Sequence, residues 1–82
     1  MSITVLYFAA VRDLVGRDEE RLELPAGVAT VGALAAHLAV VHPPLEGRLE
    51  YVRFARNEEF ALSEDVVADG DTIALIPPVA GG

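Results

Sequence analysis

Cysteine is absent from the 82-residue chain, which excludes disulfides, thiolate metal clusters and any thiol nucleophile of its own. Whatever sulfur such a protein handles must be borrowed. Lysine is missing too: all six basic residues are arginine, so no side chain can accept an isopeptide bond, although a terminal carboxylate can still donate one. Positive charge is scarce beside thirteen acidic residues, and the net charge of −7 opposes nucleic-acid binding, which draws on cationic groups that displace counterions. The same charge fits solubility alone, or steering toward a basic protein partner. No apolar run approaches the ~20 residues that span a bilayer, so membrane insertion is not expected. Met1-Ser2-Ile3-Thr4 places no basic segment ahead of an apolar stretch, so a secretory signal is not expected either, and the cytoplasm is the default location.

What is present is a hydrophobic fraction of 52%, enough for one small, efficiently packed domain. Ile3 to Ala9 is β-branched and aromatic and apolar on both pleat faces, the pattern of a central strand. Ile3, Val5 and Tyr7 point one way and Leu6 and Phe8 the other. Ala10 to Val15 predicts a short helix stopped by Gly16. Arg21 to Leu24 alternates as a strand with Leu22 and Leu24 inward, and Leu24-Pro25-Ala26-Gly27 suits a type I turn. Thr30 is an N-cap candidate for a helix whose apolar stripe is Val31, Leu34, Ala35, Leu38, Val41 and His42, ended by Pro43-Pro44. Leu45 to Glu50 reads as a loop, Tyr51 to Ala55 and Phe60 to Leu62 as short strands, Asp69-Gly70-Asp71 as a turn, and Thr72 to Ile76 as a second strand apolar on both faces.

This order predicts an α+β domain of the β-grasp type over residues 1–76, with a mixed sheet of about four to five strands and one main helix on one face. One helix covers one sheet face. Leu6, Phe8 and alternate residues of the last strand are therefore left either to meet another protein or to fill a minor core under loops.

Residues 77–82 form the expected tail, Pro77-Pro78-Val79-Ala80-Gly81-Gly82. The prolines end strand pairing and favour an extended arm, which reaches roughly 15 Å beyond Pro78 at ~3.3 Å per residue. Two terminal glycines let such an arm enter a narrow channel and leave the carboxylate unhindered. Small residues are also common at unstructured chain ends.

The segment Val5 to Gly16, the stretch Ala55-Arg56-Asn57-Glu58-Glu59, and Asp69-Gly70-Asp71 with Ile76 to Gly82 together resemble the small subunit of molybdopterin synthase, the MoaD family. The resemblance implies a ubiquitin-like β-grasp fold and a sulfur-carrier role. Gly82 would be adenylated by a ubiquitin-activating-type adenylyltransferase that uses ATP, converted to a thiocarboxylate, and inserted into the large subunit. There it would give sulfur to a cyclic pyranopterin monophosphate, in a heterotetramer built on a large-subunit dimer. The chain itself would be the non-catalytic donor of that complex and bind neither cofactor nor metal. The resemblance also implies that Phe8, Leu6, Ile76 and Arg12 face the partner. Ile76 stands where many relatives carry an aromatic residue, and Arg56 where they carry a small apolar one.

Two other readings share the tail. A thiamine-pathway sulfur carrier has the same fold and diglycine, but not typically the Tyr7 to Gly16 segment or the prolines. A ubiquitin-like modifier would be joined to target lysines through Gly82. His37 and His42, five apart, do not share a helix face well and are read as helix-surface or helix-end residues. Asp18-Glu19-Glu20 and Glu58-Glu59 read as solvated connectors, and Asp69 and Asp71 as turn formers.

Overall fold

The computed structural model describes residues 1–78. Its elements run β1 (Ser2–Tyr7), α1 (Ala9–Val15), β2 (Glu19–Glu23), α2 (Val31–Val41), a single 3₁₀ turn (Pro43–Leu45), β3 (Arg53–Arg56), β4 (Glu59–Ala61) and β5 (Thr72–Ile76). The described residues form a five-stranded mixed sheet in the order β2-β1-β5-β3-β4. β1 and β5 pair in parallel at its centre, and the remaining pairs are antiparallel. The two strands that are apolar on both faces hold two of the three interior positions, as their sequences require.

Strand parity divides the molecule. Ile3, Val5, Tyr7, Phe54, Ile73 and Leu75 are buried on one face, where Val31, Leu34 and Leu38 of α2 join them in a single core. Thr30 caps α2 by accepting a hydrogen bond from the Ala33 amide at 3.2 Å. α1 ends where Gly16 adopts φ +88°, a conformation that favours glycine. Among the described residues no helix is long and apolar enough to cross a membrane.

Several boundaries differ from the sequence reading. β2 begins two residues earlier than expected, and Leu24, though buried, lies past its end. The following turn spans Pro25 to Val28, closed by Val28 N–H to Pro25 C=O at 3.2 Å. Gly27 is thus its third residue, and φ +94° fits a type II rather than a type I turn. β3 is Arg53–Arg56 rather than Tyr51 to Ala55, because its register is set by pairing Arg53 with Ile76 on β5; Tyr51 is exposed. β4 is likewise displaced, to Glu59–Ala61. The loop expected from Leu45 begins inside the 3₁₀ turn, which drives Leu45 fully into the core. Val41, expected on the buried stripe of α2, is exposed.

Leu38 is 0% exposed at the centre of this core. Leu38→Ala is expected to cost about 2–5 kcal/mol, read as a lower urea midpoint at unchanged denaturant slope. A loss below roughly 1 kcal/mol would mean that α2 is not the lid of the core.

Candidate functional site: an apolar groove beside the tail

The open sheet face carries the opposite parity. Across the ladders Glu19 opposes Leu6, Leu6 lies beside Ala74, Ala74 opposes Ala55, and Ala55 opposes Phe60, giving one row across all five strands. The middle of the row is small, so the larger side chains at its ends make a concavity of ≈ 250 Å³, lined by Leu6, Phe8, Ala55, Glu58, Phe60, Thr72, Ala74 and Ile76. Phe8 does not continue β1 as expected. It occupies the N-cap position of α1 in an extended conformation, and its carbonyl accepts from the amides of Val11 and Arg12. Its ring therefore stands at the rim of the groove, 46% exposed, while Phe60 on the far side is 62% exposed. The Arg53 guanidinium lies over the Phe60 ring, 4.1 Å from its centre.

Leu6, Phe8 and Ile76 are thus brought together. Arg12 is not: it is exposed on α1 and lines a separate open concavity with Asp13, Gly16, Arg17 and Asp18. Pro77 and Pro78 follow β5 directly, so the tail departs from the Ile76 end of the groove. Val79, Ala80, Gly81 and Gly82 lie outside the described residues.

The β3–β4 hairpin that carries Phe60 turns on Asn57 and Glu58, with φ +50° and +73°, the two positive values of a type I′ turn. Asn57 suits it. Its side chain accepts from the Thr72 amide and donates to Asp71, both at 2.9 Å, which ties the hairpin to the start of β5. Asp71 also accepts from the Ala68 amide, and Arg56 lies 3.7 Å from it while donating to the Val66 carbonyl at 2.9 Å. Burial works against the Asp71 charge, but these bonds and Arg56 together hold its carboxyl below the usual range. Arg56, without a role in the sequence reading, is a brace of the hairpin. Glu58, in contrast, holds a left-handed conformation costing a side-chain-bearing residue roughly 1–2 kcal/mol.

Glu20 corrects the view of Asp18-Glu19-Glu20 as a solvated run. It shares the pleat parity of Leu22 and points to the core face, where it accepts from Tyr7 Oη at 2.6 Å and lies 2.6 Å from His42 Nε2 and 3.2 Å from Arg17. Its side chain is 11% exposed. Burial raises its pKa, yet the Tyr7 and His42 hydrogen bonds, the His42 charge and Arg17 outweigh this and hold it below the usual value. Tyr7 is displaced upward by its own burial and by this carboxylate. His42, the C-cap of α2, is thus the helix-end residue expected of it, with its ring edge-on to Tyr7. Among the described residues no three histidines or carboxylates are grouped to hold a metal ion.

The mixed sheet with one helix across one face is the ubiquitin-like β-grasp fold, presented here with an open apolar face beside the chain's last strand. The ThiS family model matches residues 5–82, and the chain belongs to that family. It is 42% identical over 84 residues to the molybdopterin synthase sulfur carrier subunit of Chlamydomonas reinhardtii, covering 100% of both chains. The subunit of the same name from Mycobacterium tuberculosis is 37% identical over 83 residues, with 100% and 99% covered. Among solved structures, SAMP1 from Haloferax volcanii superposes with a TM-score of 0.87 at 33% identity, over 100% of both chains.

The lowered Glu20 pKa fixes a sign. A carboxylate that ionises more readily when folded stabilises the fold above its unfolded value of ~4.3, and this contribution is lost as pH falls through the lower folded value. Glu20→Gln is expected to lose about 1–3 kcal/mol at neutral pH and to show a shallower fall in urea midpoint on acidification below about pH 4. Equal acid slopes in both proteins would show that the carboxylate is not coupled to folding.

Proposed function

We propose that this chain is the sulfur carrier of molybdopterin synthesis, with the Gly82 carboxylate as its working group. The observation that carries this reading is end-to-end similarity to proteins named molybdopterin synthase sulfur carrier subunit, running through the tail. The ThiS family model alone does not separate this role from a thiamine-pathway carrier; the named relatives favour the molybdopterin role.

In the proposed cycle an adenylyltransferase lets the Gly82 carboxylate attack the α-phosphate of ATP, with pyrophosphate leaving. A sulfur nucleophile then displaces AMP, leaving a thiocarboxylate. Adenylation makes a poor acyl donor into a good one, and the thiocarboxylate is a strong nucleophile in a sheltered site. The large subunit of molybdopterin synthase supplies that site and the pterin pocket, and a large-subunit dimer with two carriers makes the heterotetramer. The groove of Leu6, Phe8 and Ile76 docks the carrier, Arg12 adds a polar contact on the adjoining α1 surface, and Pro77-Pro78 aim Val79 to Gly82 into the partner.

Two measurements test this. Intact-mass analysis of the chain from its native host should show one oxygen replaced by sulfur at Gly82, and removal of Gly82 should abolish sulfur transfer to the pterin precursor. Phe8→Ala should weaken binding to the large subunit by about 10–30-fold with little change in thermal midpoint, since the ring is exposed. Unchanged affinity would remove the groove from the docking surface.

The likeness to SAMP1, whose curated name is small archaeal modifier protein 1, favours a second reading in which Gly82 is also joined to target proteins. Covalent adducts of a tagged chain that vanish when Gly82 is deleted would support it.

A further inference from the structure

We infer that Glu58 is a docking residue that receives an arginine or lysine from the protein covering the apolar groove. The inference rests on the docking reading above and adds to it one residue and the charge it must meet.

Glu58 is the second central residue of the β3–β4 turn, at φ +73°, a position where glycine would relieve the backbone. Asn57 and Asp71 already fix the turn, so the hairpin does not need the Glu58 side chain to hold its shape. That side chain instead lines the groove with Leu6, Phe8, Phe60 and Ile76. Among the described residues its carboxylate has no hydrogen-bonded or ionic partner, and the Arg53 guanidinium is stacked on Phe60. At the opposite edge of the same row Glu19 faces outward beside Leu6. Glu58 is thus the one charged residue among the described residues that line the groove, on a chain of net charge −7. A surface of this kind fits an apolar side chain beside a single cation, and its net negative charge disfavours a second copy of itself. A strained residue kept where it faces a partner is the pattern expected when binding, rather than folding, selects the side chain.

The test uses the full-length chain and, as probe, the molybdopterin synthase large subunit encoded in the same genome, titrated by calorimetry at low and high salt. Glu58→Gln should weaken binding about 5–10-fold at roughly 0.05 M salt, shrinking to less than about twofold at roughly 0.5 M, because the lost contact is a screened ion pair. Glu58→Gly should weaken binding equally while raising the thermal midpoint by about 4–8 °C, an opposition that a purely structural role cannot produce. If both variants bind like the unmodified chain while Phe8→Ala does not, the Glu58 assignment fails and the groove reading stands. If the unmodified chain does not bind the large subunit, both fall together. A homodimer through this face in sedimentation would also overturn the assignment.

Discussion

The parallel pairing of β1 with β5 is the constraint from which the rest of the molecule follows. Parallel strands end on the same side, so the chain leaves β1 at Phe8 and leaves β5 at Ile76 and Pro77 next to one another. Had the pair been antiparallel, the tail would depart from the edge opposite Phe8. The same register places Leu6 beside Ala74 and Tyr7 beside Leu75, which fixes the groove on one face and the core on the other. A single geometric choice therefore stabilises the domain and brings the apolar groove to the root of the tail.

The two faces are secured by different chemistry. Behind the sheet, burial of aliphatic side chains under α2 supplies most of the stability, and the Tyr7–Glu20–His42 cluster joins β1, β2 and the end of α2 at one corner. In front, the hairpin is held by polar bonds from Asn57, Asp71 and Arg56, and the Phe60 ring remains in water. Anchoring the hairpin through amide and carboxylate bonds leaves Phe60 uncommitted to the core. That division lets the groove be exposed without loosening the strands beneath it.

The sequence made legible whatever depends on local pattern. Two strands apolar on both faces, the Thr30 cap, Gly16 as a helix stop and the parity that sends Leu6 outward were all readable, and with them the β-grasp order. What stayed hidden depends on partners distant in the chain. The alternation that turned Leu22 inward also turned Glu20 inward, but burying a carboxylate is prohibitive unless a partner is known, and His42 stands 22 residues away. Tyr51-Val52 looked as strand-like as the residues that follow, and only pairing with β5 shifts β3 two places onward. Phe8, Leu6 and Ile76 were readable as candidate site residues from parity and resemblance. Ala55, Phe60 and Glu58 did not, since their place on the groove follows from a hairpin whose turn lacks the usual Asn-Gly signal.

The missing residue types gain a chemical meaning beside the proposed reaction. An acyl adenylate is vulnerable to amines, and a lysine on the same chain would be held near it at high effective concentration. Arginine supplies positive charge without that hazard, because its guanidinium stays protonated and is a poor nucleophile at neutral pH. With every basic side chain an arginine and no thiol to form a thioester, none of the chain's own side chains offers an amine or thiol that could consume the group at Gly82. In the proposed cycle the α-amine is then the one amine the chain itself could offer the activated carboxyl, which otherwise waits for a site that another protein provides.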